Sequence, residues 1–270
     1  MSTGGTTCKL MLAPNILKAI AVVCMVADHS VLIFGPQVDQ STHYQLVPGL
    51  LHCIGRISAP IFFYFLQQGY MHTRNANMYT LRLLVFAALS YAPYMMYKYN
   101  SALDYRHLYC QNVLFTLLFG LLFIRIVHEL ENRFLKAILL VVVVLLISFC
   151  EYGVYALAYI LVFDYFRDQH SKTASFIGVA AIIFTHLYRC LNFTRYTFSG
   201  VFNSFFAAEN LMLILQNLSP FISVFLIFRC DYALGKRPNN FAKWFFYFFY
   251  PLHFLLLLFV RIYVMGIPLR

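Results

Sequence analysis

From Asn15 to Met265 the chain is a succession of apolar runs, most of them long enough to cross or nearly cross a membrane and the sixth and seventh short, separated by polar connections. The runs fall at about Asn15 to Phe34, Leu50 to Tyr70, Tyr79 to Tyr97, Asn112 to Ile126, Phe134 to Phe149, Val154 to Phe166, Ala174 to Cys190, Phe205 to Phe228 and Trp244 to Met265. A bilayer offers no water to backbone N–H and C=O groups, so runs of this kind fold as helices that satisfy those groups internally. They lack the alternation of outer-membrane barrel strands. Composition agrees: 61% of the 270 residues are apolar and 11% charged, against about 25% charged in soluble domains. The expected fold is all-α, a polytopic bundle of about nine transmembrane helices with a range of eight to ten. It forms one integral-membrane domain over 1–270, with residues 1–13 as a flexible lead.

The net charge of +10 does not point to nucleic acid, because the basic residues stand singly at the ends of the runs and form no block. With the N-terminus inside, 13 of the 20 lysines and arginines fall on the cytoplasmic side, which predicts an N-in, C-out, multi-pass protein of the cytoplasmic membrane. Pro14 and Lys18 interrupt the first run and no small-residue cleavage site follows, so it reads as a retained span. The seven cysteines are far apart and show no metal-ligand spacing, so no metal site is expected.

The first span carries the residues of greatest interest. Lys18 and His29 are eleven residues apart, which returns them to one helix face roughly 16 Å apart along the axis. Ionisable residues inside a membrane are expensive to keep and point to function by default. The plainer readings are that Lys18 snorkels to the interface and that His29 ends the span. Under the N-in topology Asp28, His29, Arg56, Asn112 and Glu151 gather in one outer layer. Glu209 enters the eighth span from that side, with Gln216 seven residues further on the same face. Gln67 lies deeper on the face of Arg56, and His253 lies near mid-depth in the last span. Together they are expected to line one polar cavity.

Several stretches carry a family likeness in fixed order along nearly the whole chain. They are LKAIAVVCMVADH, GRISAPIFFYFLQQGYMHTRN with YTLRLLVFAALSYAP, NVLFTLLFGLL, EYG, and GKRPNNFAKWFFYFFYPLHFLLLLFVRI. This set resembles the TraX family, whose namesake acetylates the amino terminus of a conjugative pilin subunit. It is also similar to integral-membrane acyltransferases that share a basic residue, ten intervening positions and a histidine, a pattern that Lys18 and His29 fit. Tyr250-Pro251-Leu252-His253 resembles a terminal motif of the same proteins. The resemblance implies acyl transfer, with acetyl-CoA as donor and a pilin-like peptide terminus or a surface glycan as acceptor.

Transfer to an amine or hydroxyl needs a base, oxyanion donors and a grip on the donor's phosphates. His29 is the expected base, since imidazole titrates nearest neutrality. Asp28 points about 100° away on the helix and is expected to pair with Arg56. Asn112 and His253 are candidate oxyanion donors or acceptor-orienting groups, and Glu151 can hold an amine, with Gln67 and Glu209 also facing substrate. Lys18, Arg74, Arg82, Lys236 and Arg237 form the expected positive mouth for coenzyme A. The competing classes are a transporter that uses the same cavity and a passive assembly factor for pilin-like segments. The absence of a hydropathy repeat and of paired broken helices argues against transport.

Overall fold

A computed structural model of the chain describes residues 11–34, 46–99, 111–166, 177–184, 208–231, 234 and 240–267. The described residues are helical apart from turns and two isolated backbone bridges. In order the helices are α1 (Pro14–Ser30), continued by a 3-10 turn (Val31–Phe34), α2 (Leu46–Gly55), α3 (Ser58–His72), α4 (Ala76–Tyr99), α5 (Val113–Glu129), α6 (Arg133–Ile147) and α7 (Gly153–Tyr165). Then come α8 (Ala208–Leu218), α9 (Pro220–Phe228) and α10 (Asn240–Phe259), which runs into a π-helical turn (Val260–Val264). Residues 177–184 are also helical.

The helices fall on the apolar runs, and their ends follow from local chemistry. Pro14 opens α1, where its missing N–H leaves no intrahelical bond unmade. Asn112 caps α5 by accepting from the Leu114 and Phe115 N–H groups, and Asn132 caps α6 through Leu135. Leu12 is fastened ahead of α1. Its N–H donates to the Arg229 carbonyl at 2.7 Å, and its carbonyl accepts from Asp231 at 2.9 Å. Leu12 lies in the stretch expected as a flexible lead, of which residues 1–10 fall outside the described residues.

Two continuous apolar helical stretches, Leu46–His72 with 27 residues and Trp244–Val264 with 21, are long and apolar enough to cross a membrane. The first is broken at Arg56–Ile57, ahead of Pro60, whose ring and missing N–H disrupt the preceding turn. The carbonyls near the break are satisfied by serine hydroxyls. Ser58 Oγ donates to the Gly55 carbonyl at 2.8 Å, and Ser223 Oγ of α9 donates to the Ile57 carbonyl at 2.7 Å. A second break separates α8 from α9 at Ser219, whose hydroxyl donates to the Leu215 carbonyl. α8 packs on α2 and α9 on α3. The structure thus contains a pair of broken helices lying along each other, which hydropathy did not reveal.

α3 is central, packed against α1, α5, α7 and α9, while α4 lies between α5 and α10. α1 joins the bundle against α2, α3 and α10. α6 is peripheral: it buries Val143 and Ile147 and exposes Phe134, Val141 and Leu145, an apolar outer face suited to lipid.

Candidate functional site at a histidine pair

His29 stands in the last turn of α1, and His253 follows Pro251 within α10. Packing of α1 on α10 brings His29 Nδ1 to 2.8 Å from His253 Nε2. His253 Nδ1 lies 3.2 Å from the Phe249 carbonyl. A carbonyl can only accept, so His253 carries its proton on Nδ1 and its Nε2 is a lone pair. His29 must then donate from Nδ1, and its own lone pair falls on Nε2. That nitrogen takes no hydrogen bond among the described residues. Phe254 packs against the His29 ring at 4.7 Å between centroids, and Phe249 stacks on His253 at 5.5 Å. The Tyr97 hydroxyl donates to the His29 carbonyl at 2.7 Å, which ties the last turn of α1 to α4.

Of the other polar residues expected in this layer, Asp28 and Glu151 act on the His29 charge, and Arg56 acts on both. Asp28 Oδ1 accepts from His52 Nδ1 at 2.9 Å. The expected partner, Arg56, interacts with the Asp28 charge at longer range and donates a hydrogen bond to the Tyr152 hydroxyl. Asp28 is therefore shared, with His52 as its direct partner, because α2 packs so closely on α1 that a Cβ on Gly55 would collide with the Asp28 side chain. Glu151 Oε1 accepts from Tyr94 Oη at 2.9 Å and Lys98 Nζ at 3.1 Å, so a lysine ammonium already occupies the place expected for an acceptor amine. Tyr152 sits at φ 63°, a left-handed conformation that a non-glycine residue adopts at a cost of about 1–3 kcal/mol. Two backbone bonds between Gln111 and the Phe149–Glu151 segment hold this corner, as does Thr116 Oγ1 on the Glu151 carbonyl.

Asn112 is tied to backbone on two sides. It is 0% exposed, its oxygen caps α5 and its amide donates to the Ala87 carbonyl at 3.1 Å, so its side chain joins α4 to α5. Gln67 is also fully buried but belongs to another group: it donates weakly to Asp164 at 3.4 Å, and Asp164 accepts from His128 at 2.7 Å. Beside these lie Tyr70 and Arg125, both hydrogen-bonded to Glu129. This cluster is at the opposite end of α3 from Arg56.

Lys18 lies between two rings, 4.7 Å from the centroid of Phe65 and 5.6 Å from that of Phe246. Phe246 precedes His253 by seven residues, roughly 10 Å along α10. Lys18 thus stands toward the other end of the bundle from the histidines. Arg82 donates to Tyr247 while its Nε is buried without a partner, and Arg74 is exposed. Gln216 is buried in α8; the side chain of Glu209 and all of Lys236 and Arg237 lie outside the described residues. Residue types alone gave no reason to select His52, Tyr94, Tyr97, Lys98 or Tyr152. The one local signal was the tyrosine-rich end of α4, which also reads as an interfacial belt.

The helices and this layer define a multi-span membrane protein with a histidine pair held between its first and last helices. The sequence model of the TraX protein family matches residues 13–261, and the chain belongs to that family. The chain is also similar to a probable fimbrial assembly protein, FimC of serogroup H1, from Dichelobacter nodosus. The two are 31% identical over 169 residues, which cover 61% of this chain and 67% of that protein. No solved structure gives a significant match.

Proposed function

We propose that the protein is a membrane-embedded acetyltransferase with His29 as its general base. The observation that carries this reading is the tautomer chain from the Phe249 carbonyl through His253 to His29, which leaves Nε2 of His29 as a lone pair with no partner among the described residues. In this reading His29 Nε2 takes the proton of an acceptor amine or hydroxyl, His253 supports the imidazolium that forms, and Asp28, one residue away, favours its charge. The acceptor's nitrogen or oxygen bonds to the acyl carbon, the carbon–sulfur bond breaks, and coenzyme A leaves as its thiol with the proton returned.

Acetyl-CoA would supply the activated thioester. The residues toward the other end of the bundle fit its phosphates: Lys18 has no carboxylate partner among the described residues, and Arg82 buries an unpartnered donor. Nine spans with the N-terminus inside place Lys18 at the cytoplasmic face and His29 toward the outside, so a cytosolic donor meets an outward acceptor. The fimbrial role in the relative's name favours a fimbrial or pilin-like peptide terminus as that acceptor.

A second reading, transport, is favoured by the paired broken helices, a feature of substrate pathways. Against it, the breaks are closed by Ser58, Ser219 and Ser223 hydroxyls, which leaves the carbonyls they bond occupied. One assay separates the two. Purified protein is incubated with labelled acetyl-CoA and hydrolysis or transfer is followed in wild type and His29→Ala. Turnover that disappears in the variant supports the transferase; undiminished turnover in His29→Ala, or none in the wild type, overturns it.

A further inference from the structure

The seam between α4 and α10 carries an arginine toward each end. At one end Arg82 of α4 bonds Tyr247 of α10; at the other Arg261, in the π turn after α10, donates from Nη1 to the Tyr97 carbonyl of α4 at 3.2 Å. In both, Nε is buried with no partner. Arg261 is the more demanding case, because the whole residue is only 2% exposed. Its hydrogen bond to Tyr97, the one it makes among the described residues, satisfies one of five N–H donors. The partner carbonyl belongs to the last turn of α4 and lends only a fraction of a negative charge.

Among the described residues the charge count at this end does not close. Among the described residues Asp28 and Glu151 are the carboxylates of the layer, set against the permanent cations Arg56, Lys98 and Arg261. Glu151 takes Lys98 directly, and Arg56 interacts with both Asp28 and Glu151. Among the described residues Arg261 makes no ion pair, and its electrostatic neighbour is Tyr97. A buried guanidinium without a counter-charge is costly, and a fork of N–H donors matches a carboxylate or phosphate better than any other partner. The same residue is two bonds from the candidate base: Arg261 to the Tyr97 carbonyl, and the Tyr97 hydroxyl to the His29 carbonyl.

We propose that Arg261 is an oxyanion site at the His29 end of the α4–α10 seam, taking a phosphate or carboxylate group borne by the acceptor or by a lipid headgroup. Where the acceptor supplies the group, the inference rests on the acyl-transfer reading and makes that acceptor anionic close to its reacting end. A purely structural role needs the hydrogen bond to Tyr97 and not the charge, which Arg261→Gln separates, since its amide can donate to a carbonyl but carries no charge.

The test is the thermal stability of the full chain with coenzyme A at saturation, so that the Lys18 end is already filled. One arm adds inorganic phosphate at matched ionic strength to protein in neutral detergent. The other compares bilayer discs of phosphatidylglycerol with discs of phosphatidylcholine. The expected result is a rise of about 2–5 °C in wild type, retained in part by Arg261→Lys and absent from Arg261→Gln. A response in the phosphate arm assigns the site to a soluble or acceptor-borne group, and one confined to phosphatidylglycerol assigns it to lipid. Equal responses in wild type and Arg261→Gln in both arms overturn the site. If Arg261→Gln does not fold, a wild type insensitive to both probes overturns it as well. Acetyl-CoA turnover measured in parallel separates the two readings: turnover without an Arg261-dependent response removes the oxyanion site alone, and the reverse removes the transferase alone.

Discussion

At the scale of single residues, the histidine pair divides labour through its proton positions. In the proposed mechanism His29 holds the lone pair that takes the proton and His253, whose Nδ1 lies against the Phe249 carbonyl, positions it. His29→Ala is therefore expected to lower acetyl-CoA turnover by about 10²–10⁴-fold, the usual contribution of a general base. His253→Gln should lower kcat by roughly tenfold with little change in the KM for acetyl-CoA, and displace the pH profile of kcat. A structural role alone would leave that profile in place. His29 was legible in the sequence because an ionisable residue in an apolar helix is conspicuous. His52 was not, since it stands at the end of its run, where a histidine is unremarkable, and only the approach of Gly55 to Asp28 gives it a carboxylate.

At the scale of elements, close helix contacts set the site. Gly55→Ala should push Asp28 off His52, and Gly120→Val should force α5 away from Ile160 of α7, where even a Cβ collides. Overpacking of this kind costs about 1–3 kcal/mol, read as a fall in the unfolding temperature in detergent. Ser223→Ala should destabilise by a similar amount, about 1–3 kcal/mol, by leaving the Ile57 carbonyl at the helix break unsatisfied. Just past the fourth span, Glu129 accepts from Arg125 through both oxygens, which holds its carboxyl below the ordinary carboxylate range. A lowered folded value means that the stabilisation is present above the unfolded pKa and is lost as pH falls through the folded one. Glu129 is 43% exposed, so the term is at most about 1 kcal/mol. It should fade below about pH 4 and be missing in Arg125→Gln, as equilibrium unfolding against pH would report.

At the scale of the whole molecule, the polar residues sort to two ends of one helical bundle, the histidine layer at one and the Gln67, Asp164 and Arg125 cluster at the other. The proposed N-in topology puts the α5–α6 connection inside and the α6–α7 connection outside. In a background with the native cysteines replaced, Ser148→Cys should react with a membrane-impermeant maleimide in intact cells. Glu131→Cys should react only after permeabilisation, and the opposite pattern would invert the orientation.

The apolar runs determined on their own that the chain is helical, because in lipid the backbone has almost no other way to satisfy itself; the breaks at Arg56–Ile57 and Ser219 emerged only in the structure. Spacing and charge also singled out Lys18, His29 and a polar layer, since cost in an apolar medium is visible in sequence. Partnership was decided only by tertiary structure. Which carboxylate meets which cation, that Asn112 caps α5 and bonds α4, that Gln67 belongs to the far end, and that Arg261 is buried with no counter-charge among the described residues all depend on helix register and rotation. Apolar surfaces of nearly uniform character leave these undetermined until the helices pack.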